Sequence, residues 1–417
     1  MTNQRIGLNE IVVALWACSS FYIMHATRGE NASLLFLPLI GGAGWLILLT
    51  YKRPVIATIS PLLSFGVLWL NIIILVSYLC NAQRYGWVFI AGNIASSLLL
   101  FFSLYLITTR MNLDLRKTLI AQSVLINLLL PVVLARSPVA WGRLNPPEQP
   151  NYVAMMALLA VIGALGARSV IWAAALSAIP LYSMVAVQSR DSLLATATAL
   201  TIAAISWIRR SQFNKVFAYL FLAVFWGVAI CGALSIAGVP VIESITHVFE
   251  NLFLLNDKYR GISSGASGRS DLWAAAIDLW RTHPIFGVGF KGNALLMPDG
   301  MVTHNAYLAI LADIGLAGFT SYLFIISPAI YYLLRPAARH SPEYPQWAMV
   351  ILTYILYGLF ESRAFSFGNS YSIIFMLAVF ACSRRPLQSE APLRARKYRE
   401  RSVATHVRDS EALIQRS

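Results

Sequence analysis

The sequence has few charged residues for its length of 417 residues. Asp, Glu, Lys and Arg make up 12% of it, about half of the ~25% that is usual in soluble domains. Hydrophobic residues make up 58%, and the mean hydropathy is +0.65. This composition excludes a single water-soluble globule. Because long apolar runs recur along the whole chain, we expect lipid to surround most of it.

Acidic residues are scarcer than basic ones, with 18 Asp and Glu against 32 Lys and Arg and a formal net charge of +14. In a nucleic-acid-binding protein such an excess would form one solvated patch. Here the basic residues lie between the apolar runs, where they orient a membrane protein.

Cysteine is rare, and several common catalytic motifs are missing. The chain has four cysteines without CxxC spacing, which indicates buried thiols rather than a disulfide framework or a metal site: Cys18, Cys80, Cys231 and Cys382. No Asp-x-Asp pair, P-loop or hydrolase-type serine motif occurs. We therefore expect neither a metal nor another cofactor.

Twelve apolar segments could form bilayer-crossing helices, which need roughly 20 residues each. They are 10–27, 33–51, 55–80, 86–108, 117–135, 151–167, 169–188, 192–208, 215–240, 305–334, 346–362 and 368–383. The sequence thus predicts an all-α polytopic membrane protein. Nine spans lie within 1–240, a long loop covers 241–304, three spans lie within 305–383, and a basic disordered tail covers 384–417.

The distribution of basic residues predicts the orientation. An even number of spans places both termini on one side of the membrane. Short loops on that side carry twelve Lys and Arg before the tail is counted, against six in short loops on the other side. By the positive-inside rule the termini are cytoplasmic and the long loop is external.

The long loop contains two predicted helices. The apolar spacing in 241–255 predicts a helix lying flat at the membrane surface. The glycine- and serine-rich stretch 261–268 predicts a flexible connection, followed by a helix with Ser270 as its N-cap that ends at Pro284. The following Gly287-Val288-Gly289 favours a turn with positive φ over a dinucleotide-binding motif, because it follows a helix.

Five polar residues at the external boundary of the membrane are candidates for function: Arg143, Arg190, Asp191, Arg269 and His304. Structural interpretations compete with this. Arg190 could snorkel from a polar turn, Arg143 could lie in a solvated turn, and a lone histidine often has a structural task. Arg269 opposes the dipole of the helix expected to follow it, so local structure does not explain it.

Two carboxylates close to the membrane need partners. Asp313 lies within the tenth span, nine residues after His304 and on roughly the opposite helix face. We favour a structural ion pair or hydrogen bond for Asp313 over a chemical role. Glu361-Ser362-Arg363, at the outer end of the eleventh span, could supply its partner or a lip of the site.

Motifs within about residues 261–319 point to a family. They are Gly268-Arg269-x-x-x-Trp273, His283-Pro284-x-x-Gly287-x-Gly289, His304-Asn305-x-Tyr307 and Gly315-x-x-Gly318. This set resembles the O-antigen ligase superfamily, which includes lipopolysaccharide O-antigen ligases, O-antigen polymerases and protein O-oligosaccharyltransferases.

The resemblance implies a GT-C-like, metal-independent glycosyltransferase acting on the periplasmic face of a bacterial inner membrane. Its donor would be an O-antigen glycan on undecaprenyl diphosphate, and a ligase would transfer that glycan to a sugar of lipid A–core. The functional arginines and histidine of the superfamily correspond here to Arg190, Arg269 and His304. Members commonly carry glutamate where this chain has Asp313.

Physical chemistry supports these roles. Guanidinium groups bind phosphate oxygens bidentately and stabilise the charge that grows on a departing diphosphate. The imidazole of His304 could accept the proton of the acceptor hydroxyl. Because no candidate carboxylate nucleophile stands beside this trio, we expect direct displacement with inversion. Asp191 could orient an arginine, or be the base instead of His304.

The residues predicted to bind substrate are Arg143, Asp191, Asn305, Arg260 and Arg363. Two other functions stay open. An O-antigen polymerase would use the same chemistry with a lipid-linked glycan as acceptor, and we prefer a ligase because the external loops are mostly short and no periplasmic domain follows the last span. A lipid-linked glycan flippase or transporter would concentrate its polar residues at mid-bilayer rather than at one boundary.

Overall fold

A computed structural model describes residues 6–26, 36–140, 143–147, 149–167, 169–207, 265–297, 302–341, 343–362 and 365–386. Several predictions lie outside these residues. They concern the ninth span, the surface helix 241–255, the tail beyond residue 386, Cys231, Arg260 and Arg363. The first three residues of the predicted tail, Arg384–Pro386, form a strand instead, because they pair with Ala57–Ile59.

The chain is mostly helical. Its helices are α1 (Leu8–Ala26), α2 (Phe36–Thr50), α3 (Pro61–Cys80), α4 (Trp87–Arg110), α5 (Leu115–Arg136), α6 (Pro150–Ala164), α7 (Val170–Ala186), α8 (Arg190–Trp207), α9 (Gly265–Thr282), α10 (Asn293–Leu296), α11 (Ala306–Leu334), α12 (Tyr344–Tyr357) and α13 (Ser370–Cys382). Two short antiparallel ribbons accompany them, one of β1 (Ala57–Ile59) with β4 (Arg384–Pro386) and one of β2 (Val139–Ala140) with β3 (Arg143–Leu144).

Four helices of the described chain are long and apolar enough to cross a membrane, namely α3, α4, α5 and α11. Shorter apolar helices include α6, α7 and α13. Together they confirm a helical protein of membrane character. Within the described residues, a helix lies at each predicted span.

Three predicted boundaries are wrong. The eleventh span ends at Tyr357 instead of 362. The third span begins at Pro61 instead of 55, because residues 57–59 pair with β4 and proline favours the first turn of a helix. In the long loop, α9 already includes Gly265, so Ser270 lies inside the helix and is not its N-cap. Tertiary contacts of α9 outweigh the low helix propensity of this glycine-rich segment. The helix ends at Thr282, next to the expected Pro284.

Helices α6 and α13 form the centre of the bundle. Every residue from Tyr152 to Ala164 and from Ser370 to Phe380 is buried. A helix that is apolar on all sides is stable only when other helices surround it, so the remaining helices pack around this pair.

The connecting segments contact one another in two groups, one at each end of the bundle. At one end β1 pairs with β4, and Arg116 Nε donates to the Gly166 carbonyl at 2.5 Å. At the other end the segment before α6 meets those after α12 and before α11, where Asn151 and His304 contact Glu361. Which end is cytoplasmic stays a prediction.

Helix α11 breaks at Gly315, which has φ 65° and ψ −165°. The segment 284–289 fills the break. The amides of Val288 and Gly289 donate to the carbonyls of residues 312 and 313, each at 2.9 Å. The amides of residues 316 and 317 donate to the carbonyls of Pro284 and Ile285, at 2.9 and 3.1 Å. The break therefore fastens the end of the long loop to α11 through backbone hydrogen bonds.

Two glycines make this close approach possible. Gly287 and Gly315 both have positive φ, of 66° and 65°. A Cβ on Gly287 would overlap the Asp313 backbone, and one on Gly315 would overlap the Ile285 carbonyl. Gly289 also has positive φ, so the predicted turn is confirmed.

We expect Gly315→Ala to destabilise the protein by about 1–3 kcal/mol, because its backbone conformation is essentially restricted to glycine. Thermal unfolding of the detergent-solubilised protein measures this. Gly44→Ala is the matched control: Gly44 lies in α2 with no atom near its missing Cβ, so alanine there should be neutral or mildly stabilising. Equal unfolding temperatures for the two variants would contradict the role assigned to the break.

Candidate active site

Four elements bring polar side chains together at one end of the bundle. Asp191 is in the first turn of α8 and Arg269 in the second turn of α9. His304 lies just before α11, and Glu361 follows α12. Residues far apart in the sequence thus form one cluster.

Arg269 and Asp191 form a bidentate ion pair. Arg269 Nη1 donates to Asp191 Oδ1 at 3.3 Å, and Nη2 donates to Oδ2 at 2.8 Å. Their side chains are 18% and 13% exposed, so solvent screens the pair weakly. Burial alone would lower the pKa of Arg269, but the hydrogen bonds and charge of Asp191, with the charge of Glu361, outweigh it and raise that pKa. The guanidinium is therefore a fixed cation.

Glu361 links the cluster. It is 2% exposed, and its Oε1 accepts a hydrogen bond of 2.6 Å from Asn151 Nδ2 at the start of α6. The same oxygen lies 3.3 Å from His304 Nδ1 and 3.9 Å from Arg269 Nη2. A buried carboxylate is costly unless such partners surround it. Glu361 thereby holds the loops of Arg269 and His304 close to each other.

His304 and Asn305 join the long loop to α11. His304 has φ 47°, in the left-handed region that few non-glycine residues adopt. Asn305 caps the helix, since its Oδ1 accepts from the amides of Tyr307 and Leu308 at 3.0 Å each. Asn305 Nδ2 donates to the Leu359 carbonyl at 3.2 Å. Asn305 therefore has a structural task, and its predicted role in substrate binding stays a prediction.

The structure describes two of the other predicted arginines, Arg190 and Arg143. Arg190 is half-buried and begins α8, next to Asp191. Arg143 lies in β3, and its buried Nε has no hydrogen-bond partner among the described residues. Burial lowers the pKa of Arg143. Arg260 and Arg363 lie outside the described residues, so the structure does not place them.

Asp313 has the structural partners that we favoured. Its Oδ1 accepts from the amide of Asn293 at 2.8 Å, and its carbonyl accepts from Ser77 Oγ at 3.1 Å. Glu361 contacts Arg269 and His304 instead. Among the described residues no three His, Cys, Asp or Glu side chains are grouped as a metal site would need.

Residues 174–323 match the O-antigen ligase family. The match confirms the resemblance indicated by the sequence motifs. It contains Asp191, Arg269 and His304, together with the glycines at the break of α11. Curated proteins were also compared with the chain, and none matches it.

This match supports a membrane protein with a ligase- or polymerase-type function that acts on lipid-linked glycans. Two members of the cluster lie outside the matched residues. Asn151 was not predicted as a site residue. Glu361, at the end of an apolar span, was considered as a partner of Asp313 or a lip of the site, but was not named as a catalytic or binding residue.

We expect the Asp191–Arg269 pair to contribute strongly to stability. A double-mutant cycle of Asp191→Asn and Arg269→Gln should give a coupling of about 1–3 kcal/mol, because both ions are largely buried and doubly hydrogen-bonded. Denaturant unfolding in detergent measures it. Asp278 and Arg281 on α9 provide the control, since this pair at 3.0 Å is 71% exposed on both sides and should couple by less than about 0.5 kcal/mol. Similar couplings for both pairs would refute the assignment.

Proposed function

We propose that the protein is a metal-independent, inverting glycosyltransferase that transfers O-antigen glycan from undecaprenyl diphosphate to a sugar of lipid A–core. It would act on the periplasmic face of a bacterial inner membrane, with both termini in the cytoplasm. The observation that carries the proposal is the meeting of Arg269 and His304 on the buried carboxylate of Glu361. The family match over residues 174–323 supports it.

In this proposal Arg269 stabilises the leaving diphosphate. A guanidinium has five N–H donors, and Asp191 uses two of them, so others stay available to phosphate oxygens. Asp191 is then a positioning residue that fixes the orientation of the Arg269 guanidinium. Arg190, next to Asp191, and Arg143 with its unbonded Nε would add positive charge. Fixed cations stabilise the growing negative charge without rearranging during the reaction.

His304 is the proposed base. When Nδ1 carries the ring hydrogen and donates to Glu361, the lone pair lies on Nε2 and can accept a proton. Asp191 is less suitable as a base, because both of its oxygens already accept hydrogen bonds from Arg269. The acceptor oxygen attacks the anomeric carbon, the bond to phosphate breaks, and His304 takes the hydroxyl proton. A single displacement of this kind inverts the configuration.

Reconstitution tests the proposal. Purified protein in liposomes, supplied with lipid-linked donor and lipid A–core in the presence of EDTA, should form ligated product. His304→Ala should lose several decades of turnover and still bind donor. Arg269→Ala should weaken both turnover and donor binding. Each charge-assisted hydrogen bond contributes roughly 1.5–3 kcal/mol, about one to two decades in rate. His340→Ala, beyond the opposite end of α11, should transfer glycan normally.

The same system separates the alternatives. Elongation of the lipid-linked glycan without transfer to lipid A–core would indicate a polymerase. Movement of the glycan across the liposome membrane without any new bond would indicate a flippase. Near-normal transfer by both alanine variants would refute the mechanism.

Glu361 should act on catalysis by positioning His304. We expect Glu361→Gln to lower kcat about ten- to a hundredfold, because the amide cannot offset the positive charge that forms on the imidazole. The KM for donor should change much less, and Glu361→Asp should restore part of kcat. Glu343→Gln, at the other end of α12, is the matched control and should leave kcat unchanged. An equal loss in both variants would reduce Glu361 to a purely structural role.

A further inference from the structure

A cavity of about 160 Å³ lies beside the cluster, between α10, the outer half of α11 and the segment after α12. Its polar lining comes from Lys291, Asn293, Asp313, Ser362 and Ser366. Apolar walls are formed by rings and aliphatic side chains such as Phe290, Phe365 and Ile310. The cavity is distinct from the ion pair of Arg269, because among the described residues neither Arg269 nor Asp191 lines it.

The cavity adjoins the base rather than the arginines. One lining residue, Val302, precedes His304 by two positions, and another, Ser362, directly follows Glu361. Ala309 lines it from the first turns of α11, just beyond the Asn305 cap. A molecule in the cavity would therefore approach the cluster from the side of His304.

Hydrogen bonds on both sides of Lys291 fix the backbone of this part of the cavity lining. The Phe290 carbonyl accepts from Tyr78 Oη at 2.7 Å, and the Asn293 amide donates to Asp313 Oδ1 at 2.8 Å. Between them Lys291 has φ 59°, a strained conformation for lysine. Such strain persists only where the surroundings over-determine the backbone, and it is concentrated at binding and catalytic sites.

The lining defines the kind of ligand. A concave, mostly apolar surface with a few placed polar groups is typical of small-molecule sites. Hydroxyl and amide groups suit the hydroxyls of a sugar, and aromatic rings suit its apolar face. The ammonium of Lys291, 5.8 Å from the centroid of the Phe290 ring, adds a point charge suited to phosphate or carboxylate. Asp313, the acidic residue of this lining, already accepts a hydrogen bond from the Asn293 amide. Because a protein cavity of about 150 Å³ can hold benzene, this volume is large enough for a single six-membered ring.

We propose that this cavity binds one sugar ring of the acceptor and that Lys291 selects a ring bearing an anionic substituent. The assignment to the acceptor rests on the proposed function, because the hydroxyl that loses its proton must lie beside His304. The preference for an anionic sugar rests on the cavity alone and can be measured without turnover.

Ligand-observed NMR on the full-length protein in detergent tests the proposal with glucose 6-phosphate, glucuronic acid and glucose. The first two should bind more tightly than glucose, and comparing them distinguishes phosphate from carboxylate. Lys291→Met should weaken both anionic sugars at least about tenfold and affect glucose little. Ser366→Leu should weaken all three by filling the cavity. Lys52→Met, at the opposite end of the bundle, should bind as the unsubstituted protein does.

Arg269→Ala separates this cavity from the proposed diphosphate site and should retain binding of the anionic sugars. Loss of binding in Arg269→Ala but not in Lys291→Met would overturn the inference, and so would equal binding of glucose and the anionic sugars. If reconstituted protein transfers no glycan while binding still depends on Lys291, the proposed function fails and the anionic-sugar site stands. If glycan transfer is normal but binding of the anionic sugars does not depend on Lys291, the proposed function stands and the anionic-sugar site fails.

Discussion

The site depends on one buried carboxylate. Glu361 is almost inaccessible to solvent, yet it faces an amide hydrogen of Asn151, the ring of His304 and the guanidinium of Arg269. Leaving such a charge without partners would cost several kcal/mol. The outer ends of α6, α9, α11 and α12 are therefore obliged to meet. The same interaction that satisfies Glu361 brings a cation and an imidazole together at the end of a helical bundle.

Backbone geometry supplies the second constraint. The break at Gly315 frees two carbonyls and two amides of α11, and the segment 284–289 satisfies all four. This segment continues directly from α9, so it fixes that helix against α11. Arg269 and His304 are thus placed by rigid elements on both sides, which a catalytic geometry needs. The glycines recognised as a family motif have a steric purpose here, because no side chain fits at the crossing.

The sequence predicted the helical, membrane-type fold, because apolar runs of bilayer length leave few alternatives. It also singled out Arg269, which had no local structural reason for its position, and His304, which the family resemblance selected. Glu361 and Asn151 could not be assigned in the same way. Their importance comes from contacts between segments about 200 residues apart, and periodicity and propensity carry no such information. The start of α9 was misjudged for a related reason: tertiary contacts decide whether a glycine-rich segment continues a helix.

Charge balance explains why more than one arginine is needed. Asp191 and Glu361 together carry one negative charge more than Arg269 can neutralise, so the cluster alone would repel a diphosphate. In the proposed mechanism Arg190, which directly precedes Asp191, and Arg143 supply the further positive charge. In the proposed reaction, positive charge forms beside Glu361 as the acceptor proton moves to His304, while negative charge forms on the departing diphosphate. An acid behind the base and arginines around the leaving group then stabilise both developing charges at once.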